Sequence, residues 1–172
     1  MSKSLISREF KTTLSYIAIM ILVMIGNSYF SVRHMMAKTQ LENKIDRLTK
    51  AVDTYQKSLL SYVIAGSGHG DGEMEMAAHE IPQDILELKE ASTTQETREH
   101  VEIFARSYDR WLKQFVQPVV AKRMQVDAGK ATLVDLQALY VSCNPERNNY
   151  DLDVALHDMS NSQLLEESRH FW

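Results

Sequence analysis

Two different apolar patterns succeed one another along the first 62 residues. From Thr12 to Val32 there is no Asp, Glu, Lys, Arg or His, and the centre, Tyr16 to Ile25, is almost wholly apolar. From Leu41 onward the apolar positions thin to a seam, Leu41, Ile45, Leu48, Val52, Tyr55, Leu59 and Tyr62, with spacings that alternate 4, 3, 4, 3, 4, 3. A helix that is apolar all round suits lipid, whereas one apolar stripe suits packing against other helices at a shallow angle. At 1.5 Å per helical residue, about 21 residues reach about 30 Å, the thickness of a bilayer's hydrocarbon core.

The first pattern therefore predicts a retained membrane span over residues 12–32. A cleaved signal peptide would have an apolar region of about 7–15 residues ending in small side chains. Here the exit, Asn27-Ser28-Tyr29-Phe30-Ser31-Val32-Arg33, is crowded by aromatics. Tyr16 at one end and Tyr29 with Phe30 at the other suit the headgroup level. The expected organisation is a cytoplasmic tail over 1–11, one transmembrane helix over 12–32 and an extracytoplasmic domain over 33–172. That is a single-pass protein of the inner (cytoplasmic) membrane with its N-terminus inside. Basic residues flank both ends, Lys3, Arg8 and Lys11 before the span and Arg33, Lys38, Lys44 and Arg47 after it, and the orientation rests on the first set because its flank is only eleven residues long. No Gly or Pro lies between the end of the span and the seam, so one helix is expected to run from membrane into domain.

Beyond the seam, Gly66-Ser67-Gly68-His69-Gly70-Asp71-Gly72 predicts a reversal with positive φ at several positions. A second seam reads Met74, Ala78, Ile81, Ile85 and Leu88, with Pro82 either kinking the helix or starting a shorter one. Ser92 with Gln95 and Thr93 with Glu96 form overlapping capping boxes for a third helix. Its seam is Val101, Phe104, Tyr108, Trp111, Phe115 and Val119, with Glu102/Arg106 and Asp109/Lys113 as surface pairs and Pro118 as a kink. A short apolar segment, Leu133, Leu136, Leu139 and Tyr140, follows a cap at Thr132 with Asp135. Asn144-Pro145 opens the last helix, with Leu152, Leu156, Met159 and Leu164-Leu165 inward. The predicted fold is all-α: an antiparallel up-down four-helix bundle whose first helix continues the single N-terminal transmembrane helix.

Charge and composition narrow the function classes. Lys3, Arg8 and Lys11 against Glu9 leave the first 32 residues at +2, so the remainder carries −6 of the formal total of −4. An acidic domain argues against nucleic acid and against an anionic lipid surface. Cys143 is the one cysteine, so no intrachain disulfide exists; burial as a small hydrophobe is its expected state, preferred over a free thiol that pairs with a second chain. No phosphate loop with Lys, G-x-S-x-G, H-E-x-x-H or paired-Cys motif occurs, so no catalytic residue, cofactor or enzyme activity is assigned. Two weaker constellations stand out. His69 and His79, with Asp71, Glu73, Met74, Glu75, Met76 and Glu80, hold donors suited to zinc or copper. The competing reading is a solvated loop whose acids favour the next helix's N-terminus, and it is preferred. Arg106, Arg110 and Arg123 are candidate lining for an anionic ligand, against the preferred reading of ordinary surface charge.

Three segments taken together, Tyr62-Val63-Ile64-Ala65-Gly66, then Tyr108-x-x-Trp111 leading to Gln117-Pro118-Val119-Val120-x-x-Arg123, then Leu164-Leu165-x-x-Ser168-Arg169, resemble extracytoplasmic CHASE sensor domains of the third type. The resemblance spans about residues 33 to 170. It implies a four-helix input module behind the first span of a bacterial sensor kinase or chemoreceptor, dimeric, and responsive to a small molecule or protein. Two features depart from the family pattern: a four-glycine loop replaces a tight Gly-Asp turn, and no second span or output domain follows before Phe171-Trp172. The alternative reading is a stand-alone single-pass tether that holds a partner through its bundle.

Overall fold

The computed structural model describes the backbone of residues 2–66, 68, 70–92 and 94–169, and side chains from 15 to 161 apart from 34, 37, 38, 67, 69 and 93. Among the described residues every regular element is helical. They are α1 (Ser2–Ala65), α2 (Asp71–Ala91), α3 (Gln95–Trp111), a π segment (Leu112–Val116), α4 (Gln117–Asp127), α5 (Leu133–Ser142) and α6 (Pro145–Arg169). Two compact units divide the chain, Met1–Glu42 and Asn43–Trp172, and their boundary falls inside α1.

In the first unit, Ser15–Arg33 is long and apolar enough to cross a membrane, and none of it is buried. Tyr16, Ile17 and every large apolar side chain from Ile19 to Ile25 are at least 51% exposed. A soluble helix would turn a polar face outward; this one has none to turn.

The second unit is built on the heptad seam. Ile45, Leu48, Val52, Tyr55, Leu59 and Tyr62 are all buried, as their spacing predicts. The stripe Val101, Phe104, Tyr108, Trp111, Phe115 and Val119 is likewise buried, and so are Leu152, Leu156 and Met159. The centre is aromatic: Tyr55 meets Trp111 edge-on at 5.2 Å, Tyr108 stacks with both Phe104 and Trp111, and Phe115 lies 5.5 Å from Tyr140 of α5. Trp111 Nε1 donates to Asn149 Oδ1 at 2.9 Å, which ties α3 to α6. Side chains of Leu164, Leu165 and Ser168-Arg169 lie outside the described residues.

Helix ends follow local chemistry, with some corrections to the sequence reading. The cap of α3 is Thr94, which accepts from Thr97 N–H at 3.2 Å, rather than Ser92. Ser92 instead closes α2, its hydroxyl donating to Leu88 O at 2.6 Å; Thr93 lies outside the described residues. The box of Thr132 with Asp135 forms, with each side chain bonded to the other's backbone N–H. Hydrogen bonds from Thr132 hold the Asp135 carboxyl below the usual carboxylate range. Asn144 caps α6 at φ 48, accepting from Arg147 N–H at 3.3 Å. Pro82 neither ends nor restarts α2, which passes through it. The short apolar segment is a full helix, α5, that buries Leu136 and leaves Leu133 exposed. Cys143 is only half-buried, because it sits at the C-cap of that helix rather than in the core.

Charge links α1 to α2. Arg47 reaches Asp84 and also Glu87 (2.8 Å), and Lys44 meets Glu87 at 2.6 Å. Hydrogen bonds from Lys44 and then Arg47 hold the Glu87 carboxyl below its ordinary range, while Asp84 and Glu87 raise the Arg47 guanidinium further. Asp84 is buried, so α2's inner face is Ala77, Ile81, Asp84 and Leu88, turned slightly from the purely apolar seam. Asp46–Lys50, Asp53–Lys57 and Asp109–Lys113 form the surface pairs that their spacing predicts. Glu102 departs from it: its partner is Lys89 of α2 at 2.8 Å, a bond across two helices in place of Arg106 on its own.

Candidate functional site at the glycine loop

The C-terminal end of α1 is where the unusual backbone of the second unit concentrates. Gly66 (φ 88), Gly68 (φ 89) and Gly70 (φ 83) all adopt the left-handed region that costs other residues. Gly66 N–H closes α1 by donating to Tyr62 O at 2.9 Å. Gly68 N–H donates to Asp71 Oδ2 at 2.8 Å, which sets the entry to α2. At Gly70 the space is closed by backbone, since a Cβ there would lie 2.9 Å from Ser58 O; at Gly66 a Cβ would meet the Arg123 guanidinium, which would have to shift.

Arg123 is the side chain that fills the space over Gly66. It is 8% exposed; Nη1 donates to Val63 O at 3.1 Å, and Nη2 pairs with Asp127 Oδ1 at 3.0 Å. Val63 O is one of the last carbonyls of α1, which lack an intrahelical partner, so a guanidinium from α4 supplies both the missing donor and a cation at the negative end of the helix dipole. Tyr62 shares the neighbourhood: burial, then Asp127 and Asp71, raise its phenol, and Arg123 opposes them. Arg123 Nε and Asp71 Oδ1 are buried without a hydrogen-bond partner. Beside the loop, a shallow cleft of about 570 Å³ is lined by Lys57, Ser58, Ser61, Gly68, Asp71 and Glu73 among others, with Ser58 Oγ donating to Glu73 Oε2 at 3.1 Å.

The candidates from sequence fall in separate places. Arg123 is buried at this end, occupied by Val63 and Asp127, while Arg106 and Arg110 are exposed on α3. His79 is exposed and shares a hydrogen bond with Gln83 at 3.1 Å; His69 lies outside the described residues. Among the described residues no three His, Cys, Asp or Glu side chains come close enough to hold a metal ion. Neither the buried Asp84 nor the placing of Arg123 over Gly66 follows from residue spacing, although Gly66 and Arg123 both lie in the segments that resemble the sensor domain.

No family model, curated protein or solved structure matches this chain.

Proposed function

We propose that this protein is a membrane-anchored sensory input module, with its N-terminus inside and its helical domain outside the cytoplasmic membrane. The observation that carries the reading is the composition of α1. One helix holds a fully exposed apolar stretch of spanning length, Ser15–Arg33, and a one-sided buried seam, Ile45 to Tyr62. The second unit is read as an antiparallel four-helix bundle of α1, α2, the α3–α4 rod and α6. In support, Lys44 and Arg47 pair with Glu87 and Asp84, whereas Ser58, farther along α1, pairs with Glu73, earlier in α2. Gln56 of α1 likewise reaches Asp153 of α6 at 3.2 Å.

The sensor-domain resemblance agrees with the packing, since Tyr62, Gly66, Trp111, Val119 and Arg123 are all buried. Signalling in such a module is a small shift of one packed helix against another, selected by a ligand that prefers one arrangement. The ligand is a small molecule or a protein, and the protein acts as a homodimer.

Intermolecular crosslinking tests this. Ile45 and Leu48 are buried within one chain, so the informative single cysteines are at exposed Asp46, Lys50 and Asp53, in a Cys143→Ser background. A dimeric sensor gives crosslinks in membranes whose pattern along α1 shifts when culture supernatant or candidate small molecules are added. Absence of any crosslink excludes the dimer, and a pattern that never shifts favours a static tether.

A further inference from the structure

The buried stripes of α3 and α4 do not keep one helical register. Val101, Phe104, Tyr108, Trp111 and Phe115 are buried at spacings 3, 4, 3, 4, a beat that would next bury residues 118 and 122. Arg123 is buried instead of residue 122, one residue late, while Val119 sits beside 118 at an edge of the face that either register buries, and Phe115 and Val116 are both buried where the two registers overlap. The π segment absorbs the extra residue: Gln117 N–H donates to Leu112 O, five residues back rather than four. Pro118 follows immediately, without an N–H and with a ring that crowds the carbonyl four residues earlier in a regular α-helix. The sequence thus places a wider turn where a regular one is hardest to make.

A second register is also written into these residues. In an unbroken α-helix, Phe115, Val119, Lys122 and Val126 continue the stripe, and Lys122 and Val126 are already half-buried. Val119 faces inward in both registers. What differs is whether Val116 and Arg123, or Lys122 and Val126, complete the inner face, a rotation of α4 by about 100°.

We infer that Leu112–Val116 is a two-state element whose π form seats Arg123 on Val63 and Gly66, and whose α form turns Arg123 away and frees the last turn of α1. Two packings that differ by one residue of register are discrete alternatives, and π bulges recur at such functional positions. Pro118 biases the pair toward the π form. The device belongs to the second unit alone and operates whether the protein senses or tethers.

Hydrogen exchange on the full chain in lipid nanodiscs tests it, read at the amides of Gly66 and of residues 112–117. Deleting exposed Gln114 removes the extra residue while keeping Val119 and Arg123 on the inner face, so exchange at Gly66 slows by about fivefold or more, the low end of ordinary coupling between sites. Pro118→Ala relieves the bias, so Gly66 exchanges faster by a similar factor. If either variant changes residues 112–117 and leaves Gly66 untouched, the coupling does not exist. Loss of helicity in the Gln114 deletion overturns the register assignment itself, and Pro118→Ala still reads the coupling. Neither outcome bears on membrane topology, so failure here is separable from failure of the sensor reading.

Discussion

Residues Ser15–Arg33 and Ile45–Tyr62 belong to the same helix, and both are rich in apolar side chains, yet they solve opposite problems. In the first stretch the apolar side chains point in every direction and all the large ones are exposed. In the second they keep to one stripe, with Asp46, Lys50, Asp53 and Lys57 opposite, and every seam residue from Ile45 to Tyr62 is buried. The number of apolar residues says little about a helix's surroundings, and their angular distribution says most. A stripe asks for protein neighbours, and a full collar asks for lipid.

Truncating one apolar side chain in each stretch gives the largest expected difference between them. Leu48→Ala is expected to lower the stability of the full chain by about 2–5 kcal/mol, the cost of a cavity in a packed core. Leu22→Ala is expected to change it by less than about 0.5 kcal/mol, because no protein atoms surround that side chain. Thermal melts in one detergent read both; equal losses would mean that Leu22 packs on protein. A charge gives the reverse order: Leu22→Arg raises the cost of insertion by about 2.5–3.5 kcal/mol, while Leu60→Arg, at an exposed position, leaves membrane recovery unchanged. Carbonate extraction of membranes checks the pair.

In the loop that ends the seam, two glycines differ in the same way at smaller scale. Gly66→Ala meets both a left-handed backbone and Arg123, so a loss of about 1–3 kcal/mol is expected. Gly68→Ala meets the same backbone demand with open space around it, and is expected to cost about 1 kcal/mol. Denaturant titration of both, with Arg123→Ala as a third variant, separates backbone strain from the steric term.

The smallest effect is in the aromatic core. Burial raises the Tyr108 phenol far above the usual phenol range, with nearby Tyr55 adding to it, and burial also raises Tyr55. A raised phenol stays neutral in the folded chain while the unfolded chain ionises. Its contribution is therefore complete below about pH 10 and is lost as pH rises beyond that, since the unfolded state then binds fewer protons. Tyr108→Phe removes a buried hydroxyl that lacks a partner, so stability at neutral pH is unchanged or raised by up to about 1 kcal/mol, and the decline above pH 10 becomes shallower. Melts from pH 7 to 11 check both signs.

Much of this fold is legible from residue spacing because helices declare their buried face every three or four positions. The α1 seam, the α3 stripe and the caps at Thr132 and Asn144 are local patterns, and each is present where the pattern puts it. What the pattern misses is set by distant neighbours. Asp84 is inside because Arg47 of another helix meets it, and Glu102 pairs with Lys89 of α2 rather than with Arg106 one turn on. The change of register between Trp111 and Val116 hides because Val119 fits both registers, so an apolar count cannot tell them apart. Arg123 reads as a surface cation until α4 is seen to lay it over Gly66.

Single-cysteine accessibility in intact cells separates the two stretches under the proposed topology, in which one stretch of α1 lies in lipid and the next outside the cytoplasm. In a Cys143→Ser chain, cysteines replace Leu22 and Lys50 one at a time and meet a membrane-impermeant maleimide. The expected result is labelling of the Lys50 variant from outside without lysis, and none of the Leu22 variant until detergent is added. Labelling of the Leu22 variant in intact cells, or recovery of the chain in the soluble fraction, would contradict it.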